Sequence, residues 1–449
     1  MSAEILANTS NIIFGLDPKI VSSTILVIVY LILFTEKLNR AVVALLGTGA
    51  MIFTGVLTQK QALSGVDFNT LTLLIGMMII VGIAEKSGVF QFLAIWAVQK
   101  AKANPNGLLI VLAGITALLS AALDNVTTVL LIAPVTIQIC HKLDITPYPY
   151  LILEIFSSNI GGTATLIGDP PNILIGSAIN LSFMDFVSEL TPMVLITMAV
   201  LILAFYLVYG RKLKTTKRKR IEVLKMNPHD MITDAKLLKQ SVAVLACVIS
   251  GFIAAEELHI ANGTIAIFGA AVLLFIYSLG KSHSERDKLV EEAFSFVDWT
   301  TIFFFAGLFV IVYGLEESGV LQIMGHHFSQ MANGSIEKAT MLVVWASAFV
   351  STAIDNIPFV ATMIPLVKTI EADMGGREAM MPVWWALSLG SCYGGNGSLI
   401  AASANVIVAG IAQRDGHPIH FMRFLLWSIP VMLGSVGIAT LYLHIRHFM

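Results

Sequence analysis

The sequence predicts an all-α polytopic membrane protein made of two inverted repeats, each with five membrane spans, one re-entrant hairpin and one broken helix. Two observations lead to this fold class. Of the 449 residues, 56% are hydrophobic and only 12% are charged, whereas about 25% of the residues in a soluble domain are charged. Short motifs also recur in the same order at a nearly constant spacing. The first observation predicts a membrane environment, and the second predicts a duplication.

The apolar residues occur in blocks long enough to cross a bilayer, which requires about 20 helical residues. The expected spans centre near residues 28, 49, 77, 165 and 200 in the first half, and near residues 247, 271, 307, 398 and 434 in the second half. Five crossings per half is an odd number. We therefore expect the two halves to have opposite orientations in the membrane.

A basic segment separates the two halves. Seven basic residues and no acidic residue lie between Arg211 and Arg220. The positive-inside rule places such a segment in the cytoplasm, and a solvated loop is favoured over a patch that binds nucleic acid or lipid. We expect residues 1–210 to form the first repeat, residues 211–238 a cytoplasmic linker and residues 239–449 the second repeat. The chain would be a multi-pass protein of the inner membrane, without a nucleic-acid partner.

The duplication is visible in the motifs themselves. Asp124-Asn125 recurs as Asp355-Asn356, and residues 85–89 recur as residues 316–320 at the same distance along the chain. Residues 161–167 align with residues 394–400 at a distance that is only two positions longer, and Asn172 aligns with Asn405 in the same register. An ordered series of matches at nearly constant spacing is not expected by chance.

Two segments do not fit as simple spans. Each consists of two apolar arms around a polar tip, with tips at Asp124–Thr128 and Asp355-Asn356. The arms are residues 107–123, 129–140, 339–354 and 357–370. Each arm is shorter than the about 20 residues that a helical crossing requires, so we expect two re-entrant hairpins with their tips near the bilayer midplane. Irregular backbone at that depth must be satisfied by protein or by a water-filled cavity.

Each half also contains a glycine-rich interruption in a long apolar run, at residues 157–163 and 391–398. Glycine costs a helix about 1 kcal/mol relative to alanine. A helix that unwinds there releases backbone groups that can bind an ion. Inverted repeats with broken helices at the midplane are typical of secondary transporters.

Four acidic residues lie in these segments: Asp124, Asp355, Asp169 and Glu154. An ionisable residue inside the membrane costs roughly 2.5–3.5 kcal/mol and is a functional candidate by default. The tips and breaks around them contain no Lys or Arg, which favours Na⁺ or H⁺ over a multivalent anion. As alternatives, Asp124, Asp355 and Asp169 could each cap a helix N-terminus.

The candidate substrate- and ion-binding residues are the polar and glycine residues of the two tips and the two breaks. They are Asp124, Asn125, Thr127, Thr128, Ser158, Asn159, Gly161, Gly162, Thr163, Asp169, Asp355, Asn356, Gly394, Gly395, Asn396 and Ser398. Among them, the candidate Na⁺ ligands are Asp124, Asn125, Asp355 and Asn356. We expect no cofactor, because an odd number of cysteines without close spacing argues against a metal site. His326-His327 lies in a predicted loop and is favoured as a surface pair over a metal ligand.

Residues 123–128 and 159–172 resemble the ion transporter superfamily, which includes ArsB arsenite carriers, NhaD sodium/proton antiporters, the melanosomal P protein and citrate or dicarboxylate carriers. Residues 159–172 are most similar to the P-protein branch. The resemblance covers nearly the whole chain. It implies a homodimer in which scaffold domains associate and transport domains move as elevators. Dicarboxylate carriers have Ser-Asn-Thr at the hairpin tips, and the Asp124 and Asp355 tips depart from that signature.

The residues and the resemblance together predict a secondary transporter of a small ion, coupled to H⁺ or Na⁺. Cation/proton antiport is preferred, and efflux of arsenite or another oxyanion, or transport of a citrate- or dicarboxylate-type anion, are the alternatives. The sequence lacks a G-x-S-x-G nucleophile elbow and an H-E-x-x-H zinc pair, so an intramembrane enzyme is disfavoured. A passive channel is disfavoured because duplicated hairpins around one site indicate alternating access.

Overall fold

The computed structural model of the protein describes residues 15–35, 37–371 and 374–449, and the regular elements in these ranges are all helices. In the first half they are α1 Pro18–Phe34, α2 Arg40–Phe53, α3 Gln59–Ser64, α4 Phe68–Glu85, α5 Val89–Lys100, α6 Pro105–Ala122, α7 Asn125–Leu143, α8 Tyr148–Gly162, α9 Pro170–Ile179 and α10 Phe183–Tyr209. The all-helical class predicted from the sequence is confirmed.

The linker contains a short helix, α11 Lys217–Leu224, and a 3₁₀ turn, Pro228–Met231. The second half then comprises α12 Ala235–Leu258, α13 Asn262–Ser278, α14 His283–Ser295, α15 Trp299–Glu317, α16 Val320–Ala332, α17 Ile336–Ala353, α18 Asn356–Glu371, α19 Met381–Gly394, α20 Ser403–Arg414 and α21 Phe421–Phe448.

The series of helices that starts at α4 in the first half has the same order as the series that starts at α15 in the second half. A long helix leads into a shorter one that begins after a glycine with positive φ, Gly88 at +80° or Gly319 at +83°. The sequence did not predict these shorter helices, α5 and α16, as separate elements. A helix pair, a broken helix and a long final helix follow in both halves. The opposite orientation of the halves stays a prediction.

Within the described ranges, seven helices are long and apolar enough to cross a membrane: α4, α6, α7, α10, α12, α15 and α21. Three further apolar helices are shorter, namely α1, α2 and α13 with 17, 14 and 17 residues. Together they confirm a multi-pass membrane protein.

The arms of the two hairpins are longer than the sequence predicted. Helices α6 and α7 have 18 and 19 residues, and α17 and α18 have 18 and 16. The expected arms were too short because the polar ends of the helices were left out. Asn104 caps α6 before its apolar run, with Pro105 as the first helical residue. The lengths of these helices therefore no longer support re-entrant hairpins, and re-entry into the membrane stays a prediction.

Glycines allow close approach at two of the helix crossings between the halves. In one, a Cβ on Gly76 of α4 would lie 2.5 Å from the backbone of Ala266 in α13. In the other, a Cβ on Gly307 of α15 would lie 2.9 Å from Ala44 of α2. Gly76 and Gly307 are separated by the same distance along the chain as Asp124 and Asp355, which is the spacing of the repeat. The second crossing places the N-terminus of α2 beside the N-terminus of α15.

Candidate functional site

Both hairpin tips and the starts of both short helices after the breaks line one cavity of about 290 Å³. The polar residues around it are Arg40, Asp124, Asn125, Thr127, Asp169, Asp298, Thr301, Asp355, Asn356 and Ser403. The structure thus brings six of the sequence-predicted candidates together: Asp124, Asn125, Thr127, Asp169, Asp355 and Asn356. They come from both halves of the chain.

The two tip aspartates cap the second helices of their hairpins. Asp124 is the N-cap of α7, and its carboxylate accepts hydrogen bonds from the Thr127 backbone N–H at 2.8 Å and from Thr127 Oγ1 at 2.5 Å. Asp355 Oδ1 accepts a bond from the Ile357 backbone N–H at 3.1 Å. The capping alternative therefore has a structural basis at both tips, although both residues also line the cavity.

Asp169 behaves differently. It occupies the N-cap position of α9 but makes no side-chain capping bond, and it is fully buried. Asn125 Nδ2 lies 3.5 Å from its Oδ1, and its Oδ2 has no hydrogen-bond partner among the described residues. Burial of an unpaired carboxylate is unfavourable unless a proton or a cation accompanies it. The capping alternative is thus wrong for Asp169, whose side chain makes no capping bond.

A basic side chain also lines the cavity, which corrects the expectation of a site without bases. Arg40 Nη1 lies 3.5 Å from Asp355 Oδ2 and donates to Ser403 Oγ at 3.1 Å. Arg40 Nη2 donates to Thr301 Oγ1 at 2.7 Å and lies 3.7 Å from Asp298 Oδ2. Arg40 was not among the residues predicted for the site, and it is the first residue of α2.

Among the described residues, Arg40 forms ion pairs with Asp298 and Asp355, and no ion pair reaches Asp124 or Asp169. The positive end of the α2 macrodipole does not favour a cation at its first residue. The carboxylates facing Arg40 therefore account for its position. The cavity holds four carboxylates against one guanidinium, which leaves it with an excess of acidic groups.

Hydroxyl groups in or next to the breaks donate hydrogen bonds to the backbone just before the hairpin tip of the same half. Thr165 Oγ1 donates to the Ala121 carbonyl at 2.5 Å, and Ser398 Oγ donates to the Thr352 carbonyl at 2.7 Å. These bonds occupy equivalent positions in the two repeats. In the first half, Ser158 Oγ also donates to the Asn125 carbonyl at 3.1 Å. Each tip and its break therefore form one hydrogen-bonded unit.

The two breaks also contact each other. Asn159 Nδ2 donates to Asn396 Oδ1 at 3.1 Å and to Asn405 Oδ1 at 3.0 Å, across the boundary between the halves. The remaining candidates are buried around the tips and breaks rather than among the cavity-lining residues. This group comprises Thr128, Ser158, Asn159, Gly161, Gly162, Thr163, Gly394, Gly395, Asn396 and Ser398.

Two asparagines that were not predicted as site residues donate hydrogen bonds to the unwound backbone at the breaks. Asn172 Nδ2 donates to the carbonyls of Thr163 and Thr165 at 3.0 and 2.9 Å. Asn405 Nδ2 donates to the carbonyls of Gly395 and Ser398 at 2.8 and 2.9 Å. The repeat was the signal for this pair, since both asparagines recur at the spacing of the breaks.

Four cavity residues were also missed: Arg40, Asp298, Thr301 and Ser403. The repeat pointed to two of them, because Asp298 and Thr301 recur from Asp67 and Thr70 at the same spacing as the hairpin tips. In the first half, Asp67 likewise accepts a bond from Thr70 Oγ1. Arg40 and Ser403 belong to no repeated motif that would have pointed to them.

The sequence profile of the CitMHS family, described as citrate transporter, matches residues 30–390. An uncharacterized transporter of Mycobacterium bovis is 41% identical over 435 residues, which cover 96% of this chain and 99% of the relative. An uncharacterized transporter of Synechocystis is 31% identical over 444 residues, covering 95% of this chain and 97% of the relative. These matches are to transporters, as the sequence predicted, and not to enzymes.

The P protein of Mus musculus is 33% identical over 500 residues, covering 93% of this chain and 59% of the P protein. This match confirms the resemblance to the P-protein branch. Among solved structures, Neisseria gonorrhoeae MtrF, assigned to a class of antimetabolite efflux pumps, matches with a TM-score of 0.56 at 13% identity. The match covers 88% of this chain and 83% of MtrF. At that identity it shows the fold alone.

Proposed function

Because the chain belongs to the CitMHS citrate transporter family and is a multi-pass transporter of the bacterial inner membrane, we propose that it is a secondary active carrier of a small ion, driven by H⁺ or Na⁺. Cation/proton antiport is the preferred mode. The observation that supports it is the convergence of Asp124, Asp169 and Asp355 in one cavity.

The exchange of a proton for a cation follows from the chemistry of Asp124 and Asp169, the two cavity carboxylates without a basic partner among the described residues. A carboxylate at Asp124 or Asp169 can bind a proton or take part in coordinating Na⁺, and one occupant excludes the other. Oxygen ligands are what hard cations prefer. Asn125 and Thr127 line the same cavity, and their side-chain oxygens would complete such a set. Asp355, held by Arg40, is the less available carboxylate.

We further propose that residues 1–210 and 239–449 are inverted repeats around the basic linker 211–238, and that the chain works as a homodimer. The paired glycine crossings at Gly76 and Gly307 support the repeat. The equivalent tip-to-break bonds of Thr165 and Ser398 also support it. In this arrangement, the unit formed by tips and breaks carries the ion, and α2 with α15 forms part of the frame beside it.

A second candidate function is transport of an anion such as citrate or an oxyanion. The guanidinium of Arg40 in the cavity favours it, because arginine binds carboxylates and oxyanions in a bidentate manner. The description of the matched family favours it as well. In this mode the substrate would displace Asp355 or Asp298 from Arg40, and the free carboxylates would carry the coupling ion.

Flux measurements in proteoliposomes distinguish the two candidates. The purified protein would be reconstituted with an imposed pH gradient and a pH-sensitive dye, and Na⁺, Li⁺, citrate or arsenite would be added outside. Antiport predicts that Na⁺ or Li⁺ alone dissipates the gradient. Anion transport predicts uptake of radiolabelled citrate or arsenite instead. Inactivity toward all four solutes, in vesicles shown to contain oriented protein, would contradict both candidates for these substrates.

A further inference from the structure

A second polar cluster lies away from the cavity, where α7 and α20 end. His141 stands in the last turn of α7, Asp415 follows the last residue of α20, and His417 comes two residues later. Asp415 Oδ2 lies 3.0 Å from His141 Nε2 and 2.9 Å from His417 Nδ1. One nitrogen or oxygen atom of each residue lies within 4.8 Å of those of the other two.

The backbone holds this cluster in place. The N–H of Asp415 donates to the Ile411 carbonyl at 3.1 Å, and the N–H of His417 donates to the Ala412 carbonyl at 2.9 Å. Gly416 turns the chain between them with a φ of +81°. Asp415 and His417 therefore occupy a fixed turn at the end of α20. Helix α7 packs against α20 and brings His141 to the same place.

We propose that His141, Asp415 and His417 bind a divalent transition metal of the Zn²⁺ class. Imidazole nitrogens and a carboxylate oxygen are common zinc ligands, with bonds of about 2.0–2.2 Å. In a tetrahedron of that size the ligand atoms are about 3.3 Å apart, so the two separations from Asp415 Oδ2 need little adjustment. Two imidazoles disfavour Ca²⁺ and Mg²⁺, which prefer oxygen ligands.

The exposure of the cluster suits such a site. The side chains of His141, Asp415 and His417 are 49%, 24% and 41% exposed, so a metal can enter from solvent and a water molecule can complete the coordination. The metal would fasten α7 to α20. The opposite ends of these helices carry Asn125 and Ser403 at the cavity. The site would therefore hold the first hairpin against the second broken helix.

Metal titration of the full-length protein in detergent tests this proposal. After treatment with a chelator, the protein would be titrated with Zn²⁺ in competition with a chromophoric chelator. We expect one equivalent to bind, with affinity at least about tenfold weaker in His141→Ala and in His417→Ala. Co²⁺ should give the visible spectrum of a low-coordinate nitrogen and oxygen site in the unaltered protein and lose it in His417→Ala.

His444→Ala is the matched control, because His444 pairs with Glu337 at 3.0 Å in a two-residue contact elsewhere in the molecule. It should bind Zn²⁺ as the unaltered protein does. Equal affinity in the unaltered protein, His141→Ala and His417→Ala would overturn the proposal. If His141→Ala folds poorly, His417→Ala decides the test, since His417 lies in an exposed turn. Binding does not depend on transport, so this result is independent of the proposed function.

Discussion

The Arg40 guanidinium lies 3.5 Å from the Asp355 carboxylate, Nη1 to Oδ2, and this contact makes the two hairpin tips unequal. The tips have the same Asp-Asn sequence, but Asp355 faces a base and Asp124 faces the hydroxyl and N–H of Thr127. A duplicated motif has thus acquired two environments. Among the described residues, the cavity carboxylates without a basic partner are Asp124 and Asp169.

The Arg40–Asp355 contact should contribute to stability as a coupled pair. Arg40→Gln leaves Asp355 without its base, and Asp355→Asn leaves Arg40 with Asp298 alone. Because both side chains are less than a third exposed, at 29% and 25%, we expect a coupling of about 1 kcal/mol. Thermal unfolding in detergent should therefore show the double variant losing less stability than the sum of the single losses.

Lys37→Gln provides the control for this cycle, because it removes an exposed positive charge just before α2. Its effect should add to that of Asp355→Asn without coupling. Strict additivity of Arg40→Gln and Asp355→Asn would show that the contact contributes nothing to stability.

Asp169 should be needed for transport and dispensable for folding. Asp169→Asn keeps the size of the side chain and removes the charge, and no capping bond is lost with it. We expect unchanged expression and thermal stability but loss of cation-dependent dissipation of the pH gradient in proteoliposomes. Asp287→Asn, at a site with a 64% exposed carboxylate in α14, should retain full flux. Normal flux in Asp169→Asn would leave Asp124 as the better candidate.

The repeat allowed much of the site to be predicted, because tips and breaks recur at a fixed spacing and ionisable groups inside a membrane are rarely without function. Arg40 could not be predicted in the same way. Arg40 is separated from Asp355 by 315 residues and from Thr301 by 261. Only the tertiary packing of the helices brings these three residues together. Single-sequence patterns carry no information on which helices pack.

The lengths of the hairpin arms were wrong for a local reason. Hydropathy marks where an apolar run ends, whereas a helix ends where its last backbone groups find partners. Helix α7 continues through His141 and Lys142 to Leu143, past the apolar run. Polar helix ends of this kind are invisible to a hydropathy count.

Removing the side-chain amide of Asn172 or of Asn405 should destabilise the protein. Asn172→Ala leaves the carbonyls of Thr163 and Thr165 without a donor among the described residues. Asn405→Ala leaves the carbonyls of Gly395 and Ser398 with only long contacts of 3.5 and 3.4 Å, from Asn159 Nδ2 and the Ala401 N–H. An unsatisfied buried polar group costs about 1–3 kcal/mol. We expect a lower thermal midpoint for both variants, whether or not they transport. Gln322→Ala, which truncates an exposed amide in α16, should leave the midpoint unchanged. Unchanged midpoints in both asparagine variants would show that water replaces the amide groups without loss.

The glycines of the breaks should act first through packing. A Cβ on Gly161 would clash with the backbone of Ala117, so α8 and α6 would have to separate in Gly161→Ala. Gly114→Ala, one turn earlier on α6, is the matched control, because its Cβ would meet nothing within 4 Å. Alanine there should be neutral or add up to about 1 kcal/mol through helix propensity. Fluorescence-detected size-exclusion chromatography after heating should show Gly161→Ala unfolding at a lower temperature and Gly114→Ala at the same or a higher one. If Gly161→Ala kept normal stability but lost flux, the packing role would be contradicted. The break would then act directly in binding the ion, because only the local backbone would have changed.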